Sequence, residues 1–543
     1  MITIWPSGSH YCYQDKCGIF FWGANSHDAV WHLALVAVSF NKWPFIMPVF
    51  SGVNLNGYNF LIDLIIYFLN IIKIPMVFSY FKLIPFIWFF VFTGLLITLG
   101  KKLKDSFWYI FWILFFAYFG SSFAYIFTLY HQKTIWSSAS LLAMQSGQNL
   151  TNIPFSLSLI FLLIIMILIK KDRPSLKTAF IFGILIFINF GLKFYGGVVS
   201  LFMVGVYFLF KRDLSLLIRS YLIIGIFVIG AMIIFFNPLN SLKAGSAFIF
   251  SPFATMHSMI EEPIYFYLKD MVNARYYLYE NASLFTSPRL LFIEIFSSLI
   301  FLIFSTGLRI FGLFLIIWKI IKRKINLLDG LIILSMVLCY LFLILFIQRG
   351  MWWNIVQFYY FFLFLLNFFT AEFFYNLTKE NKIISNTIIV LVVIILTLPG
   401  NLDILKNFAV FPSHTYVSDF ELKALAILKQ RPRGIVYISL FKKMDFKESS
   451  PIPLYLIDSS YVSAYTEKPI FFADFDQLDI MNIDYKSRLE RIRAKDCSIL
   501  NGIKYIYEIE DRKDELINKC ISGQNIFKKI YENKKIKVYE RKK

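Results

Sequence analysis

Long uninterrupted apolar runs recur along this chain and constrain its fold more than any other feature. The runs Leu83 to Gly100, Ser106 to Tyr130 and Ile153 to Ile169 each have about the length of a helix that crosses roughly 30 Å of hydrocarbon. A hydrophobic content of 58% with only 16% charged residues is too apolar for a soluble globular protein. The sequence therefore predicts a polytopic membrane protein.

Reading the runs in order predicts an all-α polytopic membrane bundle of about ten spans between residues 83 and 399. Short clusters of Lys and Arg lie between several of these runs. The predicted spans cover residues 83–100, 106–130, 153–169, 177–192, 195–210, 215–236, 302–321, 329–347, 356–376 and 384–399.

Clusters of Lys and Arg between the runs predict an orientation, because such clusters are retained in the cytoplasm. The opposite, extracytoplasmic side then carries residues 1–82, the loops 131–152 and 237–301, the connection 349–354 and everything after Pro399. The clusters assigned to the cytoplasm are Lys101, Lys102 and Lys104; Lys170, Lys171, Arg173 and Lys177; Lys211 and Arg212; Lys322, Arg323 and Lys324; and Lys379 and Lys382.

Two other apolar stretches are predicted to lie at the membrane interface instead of crossing the bilayer. Tyr58 to Ile72 carries a polar stripe at helical spacing that includes Asp63, which suits an interfacial helix. Leu290 to Ile300 carries Glu294 and is interpreted in the same way. Counting either stretch as a full span would invert the side of every later basic cluster.

The outer N-terminal segment is expected to need a preceding span to deliver it. Residues 1–40 contain no apolar run long enough to cross a bilayer. We expect either that this short segment is translocated by itself or that a first span is missing from the sequence.

The composition after Pro399 becomes charged and mixed, which predicts a small extracytoplasmic domain of the α/β or α+β class over residues 400–543. Phe420 to Lys429 has helical spacing, while Gly434 to Leu440 and Gly502 to Glu508 are candidate strands. Ile526 to Glu540 is predicted to form a hairpin. The predicted organisation is thus an external loop with a juxtamembrane helix (1–82), a membrane domain (83–399) and this C-terminal domain.

The net charge of +20 indicates a membrane surface as partner and not nucleic acid, since much of the excess lies in the short clusters that set topology. Five cysteines are too few for a disulfide framework. Cys12 with Cys17, and Cys497 with Cys520, could pair if both regions face an oxidising compartment. Cys339 lies inside a predicted span and is interpreted as packing.

The outer segment contains the residues best suited to chemistry. Asp28 and His32 are four residues apart, so on a helix they would share a face and could form a hydrogen bond. Such a pair suits general base chemistry or a divalent cation, and His27 adds a third polar group. The competing interpretation is that Asp28 is merely a solvated acidic residue near the interface.

Other candidate substrate-binding residues lie on the predicted outer face. The loop residues Gln145, Gln148 and Asn149 offer neutral donors and acceptors to a hydroxyl-rich ligand, although ordinary loop and helix-cap chemistry also explains them. Arg349 beside Trp353 could clamp a phosphate while the aromatic face takes a sugar or prenyl chain; an aromatic belt with a snorkelling Arg is the alternative. The remaining candidates are Asn354, Gln357, Lys193 and Arg275.

Several of these blocks resemble a known family. Residues 23–35 (GANSHDAVWHLAL), with Phe50-Ser51-Gly52 and Leu55-Asn56-Gly57-Tyr58, resemble the first external loop of bacterial GT-C-type glycosyltransferases. Residues 353–360 (WNIVQFYY) and 459–466 (SSYVSAYT) resemble later blocks of the same branch. The chain departs from the family in lacking its usual first span and in carrying His27-Asp28 where many members have adjacent acidic residues.

The resemblance implies an enzyme of the cell envelope that uses a sugar linked to polyprenyl phosphate as donor. Asp28 would take the acidic role of the first external loop, as a base or an orienting carboxylate, with His32 and His27 supporting it. The acceptor would be a lipid, a glycan or a protein, and a divalent cation, Mg²⁺ or Mn²⁺, would be optional, with Asp28 as a ligand. A lipid or solute transporter or flippase and a non-catalytic membrane anchor for the C-terminal domain are the alternative functions.

Overall fold

The protein is mostly helical, and its helices include membrane-length segments. The computed structural model describes residues 6–136, 149, 152–171, 173–210, 213–236, 248–281, 284, 286–380, 382–409, 413–439, 450–510, 514–521 and 526–542. Within these residues, seven helices are long and apolar enough to cross a membrane, as expected of a multi-pass membrane protein. They are Met76–Leu103, Ile153–Lys171, Leu214–Phe236, Pro288–Ile321, Leu327–Leu345, Trp352–Thr378 and Ile383–Lys406.

The remaining helices are shorter. The first two along the chain, α1 (Asp28–Val38) and α2 (Leu61–Ile71), are central to the candidate site. The others are Phe107–Phe119, Tyr125–Gln132, Leu176–Leu192, Phe194–Leu209, Ser258–Glu261, Lys269–Asn281, Asp419–Gln430, Ser460–Thr466, Phe475–Ile480, Lys486–Arg493 and Glu515–Ile521.

Ten strands, β1 to β10 in chain order, form three small sheets within the described residues. The orders are β1-β2-β5-β7, β6-β8-β10-β9 and β3-β4. The strands are Ser9–Tyr13, Lys16–Phe21, Phe248–Phe250, Phe346–Gln348, Thr415–Ser418, Val436–Ile438, Ile452–Pro453, Tyr505–Ile509, Phe527–Glu532 and Ile536–Arg541.

The chain divides into two compact units. The first, called here the mixed unit, comprises Met1–Ile87, Phe235–Ala244 and Asn407–Lys543. The second, called the helical unit, comprises Trp88–Ile234 and Gly245–Lys406. The division differs from the predicted three segments, because the two ends of the chain belong to one unit instead of forming separate domains.

The helical unit is organised around the helix Trp352–Thr378, which is buried along most of its length. This helix packs against Phe107–Phe119, Leu327–Leu345 and the second half of Pro288–Ile321. Aromatic side chains fill the contacts; for example, the rings of Trp112 and Phe374 lie 5.1 Å apart. The core of this unit is therefore an aromatic-rich helix packing.

Besides the helix Ile383–Ala409, which runs past the predicted end at residue 399, two predicted segments are organised differently in the structure. Residues 106–130 are not one helix, because Phe107–Phe119 ends at Gly120 and a second helix, Tyr125–Gln132, follows. Leu290 to Ile300, predicted to be interfacial, lies in the longer helix Pro288–Thr306, and a break at Gly307 separates this helix from Ile310–Ile321. Glu294 does not interrupt that helix, since its carboxylate is buried in ion pairs with other residues of the unit.

One sheet of the mixed unit joins the two ends of the chain. The hairpin β1-β2 pairs antiparallel, and β2 pairs in the same way with β5, so that Phe20 lies opposite Tyr416. The rings of these two residues are stacked with centroids 5.4 Å apart. Strand β7 then adds to β5 in parallel. Residues 6–21 are therefore an integral part of the C-terminal fold.

The second sheet lies in the C-terminal segment, for which the sequence predicts a small α/β or α+β domain. Its strands β6 and β8 lie within or overlap the predicted strands, and β9 and β10 form the predicted hairpin. The helix Asp419–Gln430 matches the predicted helix and begins with a capping box between Ser418 and Glu421. The strands β6 and β8 are buried along most of their length and do not alternate between buried and exposed residues.

Both predicted disulfide pairs are present. Cys12 pairs with Cys17 across the turn of the first hairpin, and Cys497 pairs with Cys520. Cys339 is free and buried, as predicted. Both disulfides belong to the mixed unit, and the free cysteine belongs to the helical unit.

The helix α1 positions the candidate site inside the mixed unit. All of its residues after Asp28 are buried, because it packs against the helix Ser460–Thr466 on one side and α2 on another. A helix enclosed on several sides holds its polar side chains in fixed directions. The ionisable residues at its start and on its next turn therefore have defined partners.

Candidate functional site

The first group of polar residues lies where α1 begins. His27 precedes the helix and makes no side-chain bond to the helix backbone, so its imidazole is available to other groups. Its Nδ1 lies 2.9 Å from Oδ2 of Asp458, which is almost fully buried. Its Nε2 lies 4.0 Å from Oδ2 of Asp476. His27 therefore connects the start of α1 to carboxylates from the C-terminal segment.

The two carboxylates nearest His27 are held by their own hydrogen bonds. Asp458 accepts a hydrogen bond of 2.7 Å from the backbone N–H of Ser460, and Asp474 accepts one of 3.0 Å from the Ser460 hydroxyl. Asp474 also caps the helix Phe475–Ile480 through the backbone N–H of Gln477. His27, Asp458 and Asp474, called here the imidazole triad, are thus fixed before any ligand arrives.

Burial and the charges within the triad shift the pKa values of His27 and Asp474. Burial alone would lower the pKa of His27, but the hydrogen bond to Asp458 and the negative charges of Asp474, Asp458 and Asp28 raise it to about 11. Burial, followed by the charge of Asp458, raises the pKa of Asp474 well above its usual value. At neutral pH the triad therefore contains a protonated imidazole that neutralises buried carboxylate charge.

The same side chains form a donor set for a metal. One ligand atom from each triad residue lies within 4.8 Å of the others, and one imidazole with two carboxylates suits several divalent cations. A cation would have to displace the proton that His27 holds, because only neutral imidazole coordinates a metal. The ion-paired state explains the geometry by itself, so Mg²⁺ or Mn²⁺ stays a prediction.

The second group surrounds His32, one turn further along α1. The structure gives this residue a different partner from the predicted one: Nδ1 of His32 lies 2.8 Å from Oδ1 of Asp63. Asp63 is fully buried and His32 nearly so. The two helices α1 and α2 pack face to face, which brings Asp63 closer to the imidazole than the i, i+4 spacing brings Asp28.

Two tyrosines complete this second group. The hydroxyl of Tyr58 lies 3.5 Å from Nε2 of His32, and the ring of Tyr80 stacks on the imidazole with centroids 5.6 Å apart. The hydroxyl of Tyr80 and Oδ2 of Asp63 are buried without a hydrogen-bond partner among the described residues. His32 is therefore enclosed by aromatic rings and by one carboxylate.

Asp28 lies between these two groups in the sequence and is half-buried. It is in the first turn of α1, next to His27 and four residues before His32. Among the described residues, no hydrogen bond joins it to His32. Both imidazoles form hydrogen bonds with other aspartates, Asp458 and Asp63, and the negative charge of Asp28 acts on His27 as well.

Three predicted substrate-binding residues lie in the helical unit as buried groups. Asn149 is buried, and its side-chain amide donates a hydrogen bond of 3.4 Å to the backbone carbonyl of Ala117. Lys193 is buried at the bend between Leu176–Leu192 and Phe194–Leu209. Arg275 forms ion pairs of 2.9 Å with Glu294 and 2.7 Å with Glu261. Gln145 and Gln148 lie outside the described residues.

The predicted phosphate-clamp residues also lie in the helical unit. Arg349 is exposed in the turn after β4. Trp353 is half exposed, and its ring lies edge-to-face with Trp352 at 6.0 Å. Gln357 donates to Asn354 at 3.3 Å. The bend that carries Lys193 is linked to β4, because the Tyr195 hydroxyl donates to Gln348.

Sequence reasoning missed the aspartates that pair with the two histidines. Asp63 was visible only as part of a polar stripe, and Asp458 directly precedes the block of residues 459–466. Asp474 follows α1 by more than 400 positions, and no local pattern connects them. Only the packing of the C-terminal segment against α1 brings these residues together.

No protein-family model matches this sequence, and no curated protein matches it. The functional argument therefore depends on the residues and their geometry.

Proposed function

We propose that this protein is a membrane glycosyltransferase of the GT-C type that moves a sugar from a polyprenyl-phosphate donor to an acceptor. In this proposal Asp28 is the base or the orienting carboxylate, and the reaction takes place on the extracytoplasmic face. The bilayer delivers the lipid donor, so no soluble nucleotide site is needed. The acceptor is a lipid, a glycan or a protein.

The arrangement at the start of α1 is the observation that carries the proposal. The half-buried carboxylate of Asp28 is adjacent to His27 and one turn from His32, and each histidine is held by another aspartate. A carboxylate beside fixed imidazoles is suited to taking a proton from a hydroxyl group. Within the described residues, seven helices are long and apolar enough to cross a bilayer, where a prenyl lipid would lie beside them.

The chemistry needs one proton transfer. The acceptor oxygen forms a bond to C1 of the sugar while the bond from C1 to the phosphate oxygen breaks, and polyprenyl phosphate leaves with the electron pair. Asp28 takes the proton of the acceptor hydroxyl. His27, held as an imidazolium by Asp458, limits the build-up of negative charge around Asp28.

The disulfides support an extracytoplasmic mixed unit. Cys12–Cys17 lies in the N-terminal hairpin and Cys497–Cys520 in the C-terminal segment, and disulfides persist mainly in oxidising compartments. The basic clusters between the apolar helices favour the same orientation. We therefore include an extracytoplasmic C-terminal segment in the proposal.

A transfer assay with Asp28→Asn tests the proposal. Full-length protein in proteoliposomes is given short-chain polyprenyl-phosphate donors that carry radiolabelled glucose, mannose or arabinose, with native membrane lipids as acceptors. We expect Asp28→Asn to lower kcat by about 10²-fold or more. The matched control is Asp484→Asn, an exposed aspartate of the same unit, which should retain activity. Equal activity in wild type and Asp28→Asn would contradict the assignment of Asp28 as the base or orienting carboxylate.

One observation favours transport as the second candidate function. Arg309 is fully buried beside the break in Pro288–Ile321, and transporters place ionisable residues at discontinuous helices. Uptake of a lipid or solute by proteoliposomes without a covalent product would favour this alternative. A labelled glycosylated product would exclude it as the main activity.

A further inference from the structure

We propose that Arg433 and Lys504, with the buried Lys468 as a third cation, form a binding site for a phosphate monoester at one edge of the sheet β6-β8-β10-β9. The three residues, called here the cationic edge, lie in the mixed unit. They belong neither to the imidazole triad nor to the group around His32. The inference does not depend on the glycosyl transfer proposed above.

The strand pairing brings the three cations to the same edge. Strand β6 pairs in parallel with β8, and its residue Val436 also pairs in parallel with Ile470 on the other side. The three segments therefore run side by side in one direction, and parallel strands begin at the same edge of a sheet. Each segment is preceded within three residues by one member of the cationic edge. The fold thus collects cations that are up to 71 positions apart.

Direct contacts position the cationic edge. The ammonium group of Lys504 donates a hydrogen bond of 3.3 Å to the backbone carbonyl of Arg433. The aliphatic part of Lys504 lies against Gly434, because a Cβ added there would be 2.4 Å from its Cδ. The ammonium groups of Lys468 and Lys504 lie 5.8 and 5.6 Å from the centre of the Tyr505 ring, within the range of a cation–π contact. One aromatic ring therefore holds two of the three cations.

Lys468 is a fixed positive charge beneath this surface. The residue is only 3% exposed, and its ammonium group donates to the backbone carbonyls of Lys429 and Thr466 at 3.3 and 3.4 Å. Both carbonyls lie in the last turn of a helix, where the helix dipole favours a cation. Burial lowers the pKa of Lys468; the charge of Glu467 raises it, and the charges of the other two members and of Lys429 lower it further. The members of the cationic edge are therefore close enough to repel one another.

Carboxylates pair with the neighbouring cations and not with the cationic edge itself. Lys429 pairs with Glu467 at 2.8 Å, and Arg431 pairs with Glu540 at 3.5 Å. In the part of the chain that the structure describes, no carboxylate forms an ion pair with a member of the cationic edge. A phosphate monoester carries a charge of about −1.5 to −2 at neutral pH, so it compensates this cluster better than a carboxylate with a single charge.

The two outer members of the cationic edge can contact such a ligand. Arg433 is exposed and Lys504 is half-buried. A guanidinium group presents a planar fork that binds two phosphate oxygens, whereas an ammonium group acts as a point charge. We therefore assign the paired hydrogen bonds to Arg433 and a single one to Lys504, while Lys468 acts through its charge.

Isothermal titration of the full-length protein in a neutral detergent tests the site. The probes are inorganic phosphate, glycerol phosphate and monomeric dihexanoyl phosphatidic acid, at constant ionic strength, with acetate as the comparison of lower charge. We expect saturable binding of at least one phosphate probe. Arg433→Gln and Lys504→Gln should each weaken it about tenfold or more, because each removes a charge-assisted hydrogen bond. Arg433→Lys keeps the charge without the fork and should weaken binding less than Arg433→Gln.

The matched control is Lys534→Gln, which removes the same charge from the same sheet. Lys534 is exposed in the turn between β9 and β10. This turn lies at the end of β10 opposite to Glu540, the residue that pairs with Tyr505 beside the cationic edge. We expect Lys534→Gln to bind the probes as the wild type does. Thermal unfolding of each variant shows that the substitutions leave the fold intact.

The probes also distinguish the source of the phosphate. Binding of the soluble probes supports a free phosphate monoester as ligand, and binding of phosphatidic acid alone supports the same site with a lipid headgroup. Three results would overturn the proposal: no saturable binding of any phosphate probe, acetate binding as tight as phosphate binding, or equal affinities in wild type, Arg433→Gln and Lys504→Gln. A loss in Lys534→Gln as large as in Lys504→Gln would also overturn it, because net charge alone would then explain the binding. The titration needs no sugar donor, so its outcome is separate from that of the transfer assay.

Discussion

At the scale of single residues, the site consists of histidines that are held by aspartates distant in the sequence. His27 and His32 both lie at the start of α1, yet their partners, Asp458 and Asp63, come from other elements. The candidate residues of the N-terminal segment were therefore visible in the sequence, whereas their hydrogen bonds were not. The i, i+4 spacing predicted a contact between Asp28 and His32, because this rule describes neighbours within a single helix only.

The ion pair of His27 should make stability depend on pH. Its pKa is raised from 6.5 to about 11, so below about pH 6.5 both the folded and the unfolded chain hold the proton and the pair contributes fully. As the pH rises towards 11, the folded chain retains a proton that the unfolded chain releases, and the contribution is lost. We expect His27→Asn to lower the free energy of unfolding by about 3 kcal/mol at pH 6, with a smaller loss at pH 10.

Thermal unfolding of the full-length protein in detergent at pH 6, 8 and 10 measures this effect. His10→Asn is the matched control, because the pair of His10 with Asp419 is exposed on both sides and exposed pairs contribute little. A loss in His27→Asn that stays constant from pH 6 to 10 would show that packing, and not the ion pair, is responsible.

At the scale of elements, helix breaks are the features that hydropathy alone did not predict. The predicted span 106–130 is interrupted after Gly120, and Pro288–Ile321 bends at Gly307. Both breaks meet in the helical unit, since a Cβ on Gly307 would lie 2.1 Å from the carbonyl oxygen of Ser121. The mean hydropathy of a window indicates burial or lipid contact. It does not indicate where two backbones must approach each other closely.

Gly307 should not tolerate a side chain. Its φ of +56° disfavours any other residue, and the close contact with Ser121 adds a steric clash. We expect Gly307→Ala to destabilise the protein by more than about 2 kcal/mol, measured as a lower unfolding temperature and a lower yield of monodisperse protein. Gly225→Ala is the control, because no described atom lies within 4 Å of its added Cβ. Equal behaviour of the two variants would contradict the close approach.

At the scale of the whole molecule, both ends of the chain form one unit. The hairpin β1-β2 adds to a sheet whose other strands come from the C-terminal segment. Hydrogen-bonded strands must lie on the same side of a membrane, because an aqueous sheet cannot pair across hydrocarbon. The proposed orientation puts this unit outside the cytoplasm, together with both disulfides.

Cysteine labelling in intact cells tests that orientation. We expect Asp484→Cys, an exposed position of the mixed unit, to react with a membrane-impermeant maleimide in intact cells. Lys322→Cys, at the exposed end of Pro288–Ile321, should react only after permeabilisation. Native cysteines give a low background because four are in disulfides and Cys339 is buried. The reverse labelling pattern would place the site in the cytoplasm and remove the case for a lipid-linked donor delivered from outside.

The sequence by itself determined that this is a membrane protein, and it indicated most of the apolar helices, four strands of the C-terminal segment and the two cysteine pairs that could form disulfides. These properties follow from hydropathy, alternation and spacing, which act over a few residues and can be recognised locally. Only the tertiary structure decided the helix breaks, the sheet that joins both chain ends and the partners of His27 and His32. Those features depend on contacts between segments up to about 400 residues apart, and such contacts arise from packing, which no local pattern encodes.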